Sequence, residues 1–202
     1  MDIIKKITNF LFELNVAKLT PRRGWQKIGV KYPESIAEHS ALAAQIAFVL
    51  AQMENANAER ATTLALFHDI GEIRVGDNDW VSRIYQNKND AEEKAFKAQI
   101  SRLPAAQNLQ QLFGELKAQK TKEAVIAKDA DLLELAIQAK VYAESGYRTA
   151  PLFIDGMRHN LKTESAKKLF AAIEKNEIAD WWLAIPEIAA IAKNIFKNKK
   201  SK

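Results

Sequence analysis

The sequence predicts an all-α protein, and three observations lead to this fold class. Apolar residues recur at three- and four-residue steps along most of the chain, which is the spacing of one helical face. Glycine and proline are scarce, with 7 and 5 among 202 residues, and so few turn formers do not suit an all-β fold. No segment shows the apolar–polar alternation of a half-buried strand. We therefore expect a single domain over residues 1–202, built as a helical bundle.

The first two helices are marked by an apolar stripe and by a capping motif. Residues 3–14 place apolar side chains at helical spacing, and Thr20 and Pro21 then open a loop that we expect to run through Pro33. Ser35 is followed three residues later by Glu38, which is the pattern of a capping box. A long helix is therefore expected to begin there and to end near residue 53.

The remaining elements are also helical. Residues 58–69 predict a third helix, which Gly71 should stop. Residues 70–89 are expected to be irregular, because turn-forming residues surround Gly76. Five further helices are predicted, at about residues 90–102, 105–118, 121–145, 163–175 and 178–197.

The composition is that of a globular protein, with 48% hydrophobic and 27% charged residues. The absence of cysteine excludes a disulfide framework, a thiolate zinc site and a cysteine nucleophile. No continuous apolar run approaches the roughly 18 residues of a membrane span, and the first residues lack the pattern of a secretory signal. We therefore expect a cytoplasmic protein with no membrane partner.

The net charge of +5 is concentrated in the last ten residues, which contain five lysines and no acidic residue. The body of the chain is neutral, so nucleic acid is not an expected partner. The lysine-rich tail is a solvated helix end or makes a weak contact with polyanions. Near it, Trp181 and Trp182 are expected to serve packing or an oligomer contact, and we expect a homodimer.

Two of the three histidines stand beside acidic residues in apolar helices. His39 follows Glu38, and His68 precedes Asp69. Burying such pairs costs free energy unless something compensates their charge, and a divalent metal ion is one such partner. The alternative for the second pair is a buried hydrogen bond without a metal. The third histidine, His159, lies in a polar stretch and is expected at the surface.

A further carboxylate comes from the helix predicted over residues 121–145, where Asp129 and Asp131 interrupt an apolar sequence. A helix turns by about 100° per residue, so only one of the two faces a given direction. We expect Asp131 to lie nearer the buried arc of this helix than Asp129 does. Together with His39 and the pair at residues 68–69, Asp131 would complete a set of four ligands from three helices.

These residues form a pattern that resembles the HD-domain metal-dependent phosphohydrolases, and more closely their 5'-deoxynucleotidase branch. The resemblance covers about residues 5–145. It is carried by five segments, at residues 24–25, 33–40, 68–72, 75–77 and 128–131. Less of the pattern is present in residues 146–202. The four-ligand set is shared across the superfamily, whereas Trp25, Glu72 and the Gly76-Asp77 pair are more specific to the branch.

The resemblance implies roles for individual residues. Glu72 would handle a proton at the cleavage site, and Asp77 would contact the deoxyribose. The resemblance also implies four metal ligands: His39, His68, Asp69 and Asp131. Each role has a simpler alternative, because Glu72 could be a solvated carboxylate near a helix end and Asp77 a turn residue.

The phosphate would be held by an arginine close to Trp25. Arg22 and Arg23 precede this tryptophan and Arg83 follows the Asp77 loop, so all three are candidates. Trp25 itself would border the substrate, where its bulk could crowd a 2'-hydroxyl. The alternative for Trp25 is a core anchor.

The resemblance implies hydrolysis of the 5'-phosphate of a deoxyribonucleoside monophosphate by metal-activated water. Nitrogen and oxygen donors without thiolate suit Co²⁺, Mn²⁺ or Fe²⁺ better than a closed zinc site, and Mg²⁺ is possible. Two other functions stay open. One is an HD hydrolase of a cyclic, diphosphate or triphosphate nucleotide, and the other is a non-catalytic, metal-stabilised interaction protein.

Overall fold

The structure is a computed structural model that describes residues 2–85 and 88–199. The described residues contain no strand, only an isolated antiparallel bridge between Pro21 and Ser35. They form thirteen α-helices: α1 (Ile3–Val16), α2 (Arg23–Lys27), α3 (Ile36–Met53), α4 (Ala58–Leu66), α5 (Glu72–Val75), α6 (Trp80–Tyr85), α7 (Lys88–Ile100), α8 (Ala106–Ala118), α9 (Lys122–Glu144), α10 (Pro151–Met157), α11 (Glu164–Lys175), α12 (Asp180–Leu183) and α13 (Pro186–Lys199). The predicted all-α class is confirmed.

Helix α9 is central to the fold and contacts α3, α4, α8, α10 and α11. Small side chains line the surfaces where α3, α4 and α9 meet. Their small size lets the three backbones approach closely, as packed helices require. The fully or almost fully buried alanines include Ala43, Ala47, Ala51, Ala61, Ala65, Ala127 and Ala130.

The start of α3 is built as the sequence predicts. The Ser35 backbone N–H donates to Glu38 Oε2 at 2.6 Å, and the Glu38 N–H donates to Ser35 Oγ at 3.2 Å. The preceding segment lies alongside, because the Arg22 N–H donates to the Glu34 carbonyl and the Ile36 N–H to the Thr20 carbonyl, both at 2.9 Å. These bonds hold Arg22 beside the first turn of α3.

The third helix ends earlier than predicted. Helix α4 ends at Leu66, and His68 and Asp69 lie in the turn that follows. Gly71 has a φ of −62°, so it does not end the helix by a left-handed conformation. A Cβ atom at Gly71 would lie 2.8 Å from Glu92 Cγ and 2.9 Å from the Glu92 carbonyl oxygen. Gly71 therefore permits close packing against α7 and is not needed as a helix stop.

Four short helices were not predicted at their positions. The expected loop through Pro33 contains α2, and the expected irregular stretch at residues 70–89 contains α5 and α6. Helix α10 lies where no element was expected, and the helix predicted over residues 178–197 is divided into α12 and α13, with Pro186 at the start of the second. Helices of four to seven residues are too short for a periodicity window of 11 or more residues.

One helix of the described residues has the length and composition of a membrane span. Helix α3 has 18 residues and a mean hydropathy of 1.2, although no such segment was expected from the sequence. Of these residues, 44% are buried inside the fold, and α3 packs against both α4 and α9. Such burial is typical of a core helix, which passes the same test of length and composition.

Candidate active site

Four side chains from three helical elements converge at one point. His39 comes from the first turn of α3, His68 and Asp69 from the turn after α4, and Asp131 from the middle of α9. His39 Nε2 lies 3.2 Å from His68 Nε2 and 3.1 Å from Asp131 Oδ1, while His68 Nε2 lies 3.0 Å from Asp69 Oδ2. All four residues are buried. We call these residues the donor cluster.

The tautomers of both histidines follow from their outer hydrogen bonds. His68 Nδ1 lies 2.6 Å from the Ala65 carbonyl oxygen, and a carbonyl oxygen only accepts, so Nδ1 carries the proton. His39 Nδ1 is likewise bonded to the Glu134 carboxylate. In the neutral rings, both Nε2 atoms therefore present lone pairs to the interior of the cluster. This orientation is typical of metal-ligating histidines.

The electrostatics of the donor cluster favour positive charge at its centre. Burial and the Arg22 charge lower the pKa of His39, but hydrogen bonds with Asp131 and Glu134 outweigh them and raise it to about 9. Burial alone would lower the pKa of His68, but Asp69 and Asp131 together raise it well above its usual range. Burial alone would raise the pKa of Asp69, but the His68 and Arg22 charges hold it well below normal.

The donor set therefore suits a divalent metal ion. His39 Nε2 and His68 Nε2 lie 3.2 Å apart, and each lies 3.0–3.7 Å from an oxygen of Asp69 and of Asp131, so a cation among these atoms would offset the charge of the two carboxylates. The ligating atoms of His39, His68 and Asp69 all lie within 4.8 Å of one another. Nitrogen and oxygen donors of this kind bind first-row divalent metals.

The structure brings Asp131, and not Asp129, to the donor cluster. The expectation that Asp131 lies nearer the buried arc of α9 than Asp129 does is wrong. Asp129 is fully buried, whereas Asp131 is 9% exposed. The Asp129 carboxylate accepts hydrogen bonds from the Lys162 and Thr163 backbone N–H groups, and from Thr163 Oγ1 at 2.7 Å. Asp129 thus holds the start of α11 against α9, while Asp131 faces His39 and His68.

Glu134, which lies one helical turn beyond Asp131, was not predicted as a site residue. Glu134 is fully buried, and its Oε2 bonds to His39 Nδ1. The signal was present, because Glu134 is a carboxylate in the apolar part of α9 at a spacing of three residues from Asp131. Glu34 lies nearby and accepts from Trp25 Nε1 at 2.7 Å. Burial, together with the charge of Glu134, raises the pKa of Glu34 to about 8.

We expect Glu134→Gln to weaken metal binding by about 10–100-fold, because the outer partner of a ligating histidine orients the ring and raises its basicity. Competition with a chelator measures the affinity. Glu34→Gln is the matched control, since Glu34 accepts from Trp25 Nε1 and an amide oxygen there can still accept this bond. Equal affinities of E134Q and the unaltered protein would show that the bond to His39 does not orient the ligand.

Arg22 joins the donor cluster to the two carboxylates implied in catalysis. Its NH1 lies 2.9 Å from Asp69 Oδ2, 3.7 Å from Asp77 Oδ1 and 3.9 Å from Glu72 Oε2. The Arg22 side chain is 13% exposed, and burial would lower its pKa, but the Asp77 and Asp69 charges raise it well above normal. Glu72 is fully buried, which rules out the alternative of a solvated carboxylate.

The other two arginines lie apart from the donor cluster. The Arg23 backbone N–H donates to Asp77 Oδ2 at 2.6 Å. Its guanidinium lies against Gly76, where a Cβ would come within 2.9 Å of NH2 and where φ is +80°. Arg83 is exposed and donates through Nε to the Asn78 carbonyl at 3.0 Å. Of the three phosphate candidates, only Arg22 contacts the donor cluster.

Trp25 is a core anchor that also borders a cavity. It is 1% exposed, and its ring packs edge-on against Tyr142 at 5.0 Å and against Phe153 at 4.5 Å. Trp25 also lines a small cavity of about 210 Å³ together with Arg22 and Asp77. Trp25 therefore packs as the core-anchor alternative expects, and it also borders a cavity beside the site. His159 is exposed, as predicted.

A cleft of about 1040 Å³ opens from the donor cluster to the surface. His68, Asp69 and Asp131 lie in its wall, so a ligand in the cleft reaches the donor atoms. The cleft wall also holds the carboxylate of Glu92 and basic side chains, which attract a phosphate group. Four basic side chains line the cleft: Arg83, Lys117, Lys128 and Lys162.

Comparisons with known proteins agree with this arrangement. A family model described as an HD domain matches residues 14–174. The 5'-deoxynucleotidase HDDC2 of Bos taurus is 34% identical over 145 residues, or 69% of each chain. The 5'-deoxynucleotidase hdd1 of Schizosaccharomyces pombe is 32% identical over 67% of this chain and 72% of its own. A conserved hypothetical protein from Pyrococcus furiosus has a TM-score of 0.72 at 27% identity, covering 84% of this chain and 99% of that one.

The family match extends past the range of residues 5–145 in which the sequence pattern was seen. It includes α10 and most of α11, and thus the segment that Asp129 holds against α9. The match also spans all four members of the donor cluster and the cleft that opens from them. The chain therefore belongs to the HD-domain metal-dependent phosphohydrolase superfamily, in the branch that contains the curated 5'-deoxynucleotidases.

Proposed function

We propose that this protein is a metal-dependent 5'-deoxynucleotidase that removes phosphate from deoxyribonucleoside monophosphates. The observation that carries the proposal is the donor cluster, which borders Arg22 and Glu72 and opens into a cleft lined in part by basic side chains. The relatives named 5'-deoxynucleotidases, at 32–34% identity, support the same reaction class. The substrate is a small nucleotide, and nucleic acid and membranes are not expected partners.

The metal would be held by the donor cluster. A divalent ion there would activate a water molecule and offset charge on the phosphoryl oxygens. Co²⁺, Mn²⁺ or Fe²⁺ suit two imidazoles and two carboxylates better than Zn²⁺, and Mg²⁺ is possible. The proposed ligands are His39, His68, Asp69 and Asp131.

Glu72 and Arg22 would act on the phosphate and on protons. Glu72 begins α5, three residues after Asp69, and its N–H donates to the Asp69 carbonyl at 3.0 Å. This bond holds the Glu72 carboxylate at the edge of the donor cluster, where it can transfer a proton to the leaving 5'-oxygen. Arg22 is planar and permanently charged, which suits it to orient a phosphate. Arg83 and Arg23 are assigned weaker phosphate contacts, Arg83 because it lines the cleft and Arg23 because it borders the Asp77 loop.

Asp77 and Trp25 would select the sugar. Asp77 is 6% exposed, and its Oδ2 accepts from Arg23 while Oδ1 lies 3.7 Å from Arg22. A carboxylate held in this way can accept a hydrogen bond from a sugar hydroxyl. Trp25 lines the same cavity, and we propose that its bulk crowds the space that a 2'-hydroxyl would occupy.

The test is a substrate panel on metal-reconstituted protein. We expect kcat/KM for dAMP, dCMP and dGMP to agree within about tenfold, because Asp77 contacts the sugar and not the base. AMP and CMP should be distinctly slower, since a buried hydroxyl left without a partner costs roughly 1–3 kcal/mol. Asp77→Ala should lower kcat/KM for every nucleotide, and Trp25→Phe should narrow the difference in kcat/KM between ribose and deoxyribose substrates. Equal rates on both sugars would contradict the proposal while leaving a metal-dependent hydrolase.

The same panel separates the other candidate functions. Turnover of cyclic, diphosphate or triphosphate nucleotides in preference to monophosphates would indicate a different HD hydrolase. Metal binding without turnover of any nucleotide would indicate a metal-stabilised interaction protein. The donor cluster alone suits all three functions, whereas Glu72 beside it favours an enzyme.

We further propose that the chain is one domain that acts in the cytoplasm as a homodimer. The exposed tryptophans of α12 support the homodimer, since Trp181 is 72% and Trp182 is 42% exposed. Such aromatic side chains are enriched at protein interfaces. Sedimentation of the full chain would give its oligomeric state.

A further inference from the structure

Two cavities meet at the same two side chains, Trp80 and Arg83, which line both of them. The larger cleft contains His68, Asp69 and Asp131 in its wall. The smaller cavity is bordered by Arg22, Trp25 and Asp77. A ligand with one anionic end and one flat apolar end, joined by a polar linker, would occupy both cavities.

The walls of the smaller cavity suit the flat end. Its volume of about 210 Å³ is below the roughly 300–1,000 Å³ that drug-sized ligands need, so it admits a fragment such as a single base. About half of the residues that line it are apolar or aromatic, among them Trp25, Ile28, Trp80, Val81, Leu135 and Phe153. The rest of the lining is mostly polar and includes Arg22, Lys27 and Asp77, so the apolar part of this wall is the part that suits a base.

We propose that the smaller cavity is the nucleobase subsite and that Trp80 is the side chain on which the base stacks. This inference rests on the proposed function, because it places the phosphate at the donor cluster and the sugar at Asp77, which borders the smaller cavity. It adds a contact that raises the affinity for nucleotides and that the metal and phosphate chemistry does not require. Base–aromatic stacking tolerates all bases because each has a π-face.

The Trp80 ring is held in place for this contact. Trp80 is the first residue of α6, and the preceding Asp79 accepts from the Val81 N–H at 2.8 Å and from Ser82 Oγ at 3.0 Å. The indole stacks on Phe153 at 4.6 Å with an interplanar angle of 19°. Even so, Trp80 remains 47% exposed, so a large part of its surface is available to a ligand.

A polar group in the same wall can pair with the edge of a base. Asn78 lines the smaller cavity and is 8% exposed. Its Oδ1 has no hydrogen-bond partner among residues 2–85 and 88–199. Burying an amide oxygen without a partner costs free energy, and a donor on the ligand would remove that cost. The carboxylate of neighbouring Asp79, by contrast, is used within α6.

The test compares nucleotides with a substrate that has no base. For Trp80→Ala, we expect KM for dAMP and dCMP to rise about tenfold, with KM for 2-deoxyribose 5-phosphate unchanged. Trp80→Phe should retain near-normal KM values because a phenyl ring still stacks. Trp181→Ala is the matched control, since it removes an exposed tryptophan that lines neither of these cavities.

Calorimetric binding of deoxyadenosine supplies a second readout that does not depend on turnover. We expect W80A to weaken this binding about tenfold and W181A to leave it unchanged. If W80A raised KM equally for 2-deoxyribose 5-phosphate, or changed neither KM nor binding, Trp80 would only cover Phe153 and the subsite would be rejected. If the unaltered protein hydrolysed no monophosphate, the proposed function would fail, and deoxyadenosine binding would still decide the subsite.

Discussion

Replacing Asp131 with alanine should remove most of the metal from the purified protein, which in its unaltered form should hold about one ion per chain. The Asp131 carboxylate lies 3.1 Å from His39 Nε2 and 3.7 Å from His68 Nε2, so the variant loses one of the two oxygen donors. Elemental analysis after reconstitution and desalting gives the metal content, and activity should fall with it. Asp131→Asn, which keeps the size of the side chain, separates loss of the donor from loss of packing.

Asp129→Ala is the control, because this aspartate is two residues away on the same helix. Its carboxylate accepts hydrogen bonds from the start of α11 and does not face the donor cluster. We expect D129A to keep the metal but to unfold at a lower temperature, since it leaves the Lys162 and Thr163 N–H groups without their partner. Metal loss in D129A, with metal retained in D131A, would place the ligand on the other aspartate.

Replacing Glu72 with alanine should lower kcat by about 10²–10⁴ while the metal stays bound, as expected for a general acid or base. Glu72 is fully buried at the start of α5, and its Oε2 lies 3.9 Å from Arg22 NH1. Steady-state kinetics and metal analysis on the same sample make the test. Glu72→Gln keeps the size of the side chain but not its basicity, so it should resemble E72A.

A different outcome would change the role of Glu72. Carboxylate oxygens of Asp69, Glu72 and Glu92 lie within 4.8 Å of one another, so Glu72 is close enough to the donor cluster to act as a ligand. Loss of metal together with activity in E72Q would make it one. Unchanged activity with bound metal would remove Glu72 from the catalytic machinery.

The long helices could be predicted from sequence because their signals are local and repeated. The capping box at Ser35 and Glu38 placed the start of α3, and the apolar periodicity placed its end at Met53. Short helices such as α10 are formed by tertiary packing, in which Phe153, Ile154 and Met157 are buried. Three side chains give no period that can be recognised in a sequence.

The candidate site could be predicted in part, because charged residues in apolar helices are costly and therefore conspicuous. That reasoning selected His39, His68 and Asp69 before any geometry was known. It also selected Asp131 over Asp129, but by a wrong argument from burial, because both are buried and their difference lies in partners that come from other helices. The sequence also could not show which arginine lies nearest the donor cluster, because the bridge between Pro21 and Ser35 brings Arg22 there.

The elements that carry the four donors lie far apart in the sequence, and this separation determines when a chain under synthesis could first bind a metal ion. The donors are separated by 29 residues between His39 and His68 and lie on elements that meet only when α9 packs against α3 and α4. Asp129 then depends on Lys162 and Thr163, which emerge from the ribosome later still. A nascent chain therefore has no metal site until most of it is made. An ion bound there would thus stabilise only chains in which α3, α4 and α9 are packed.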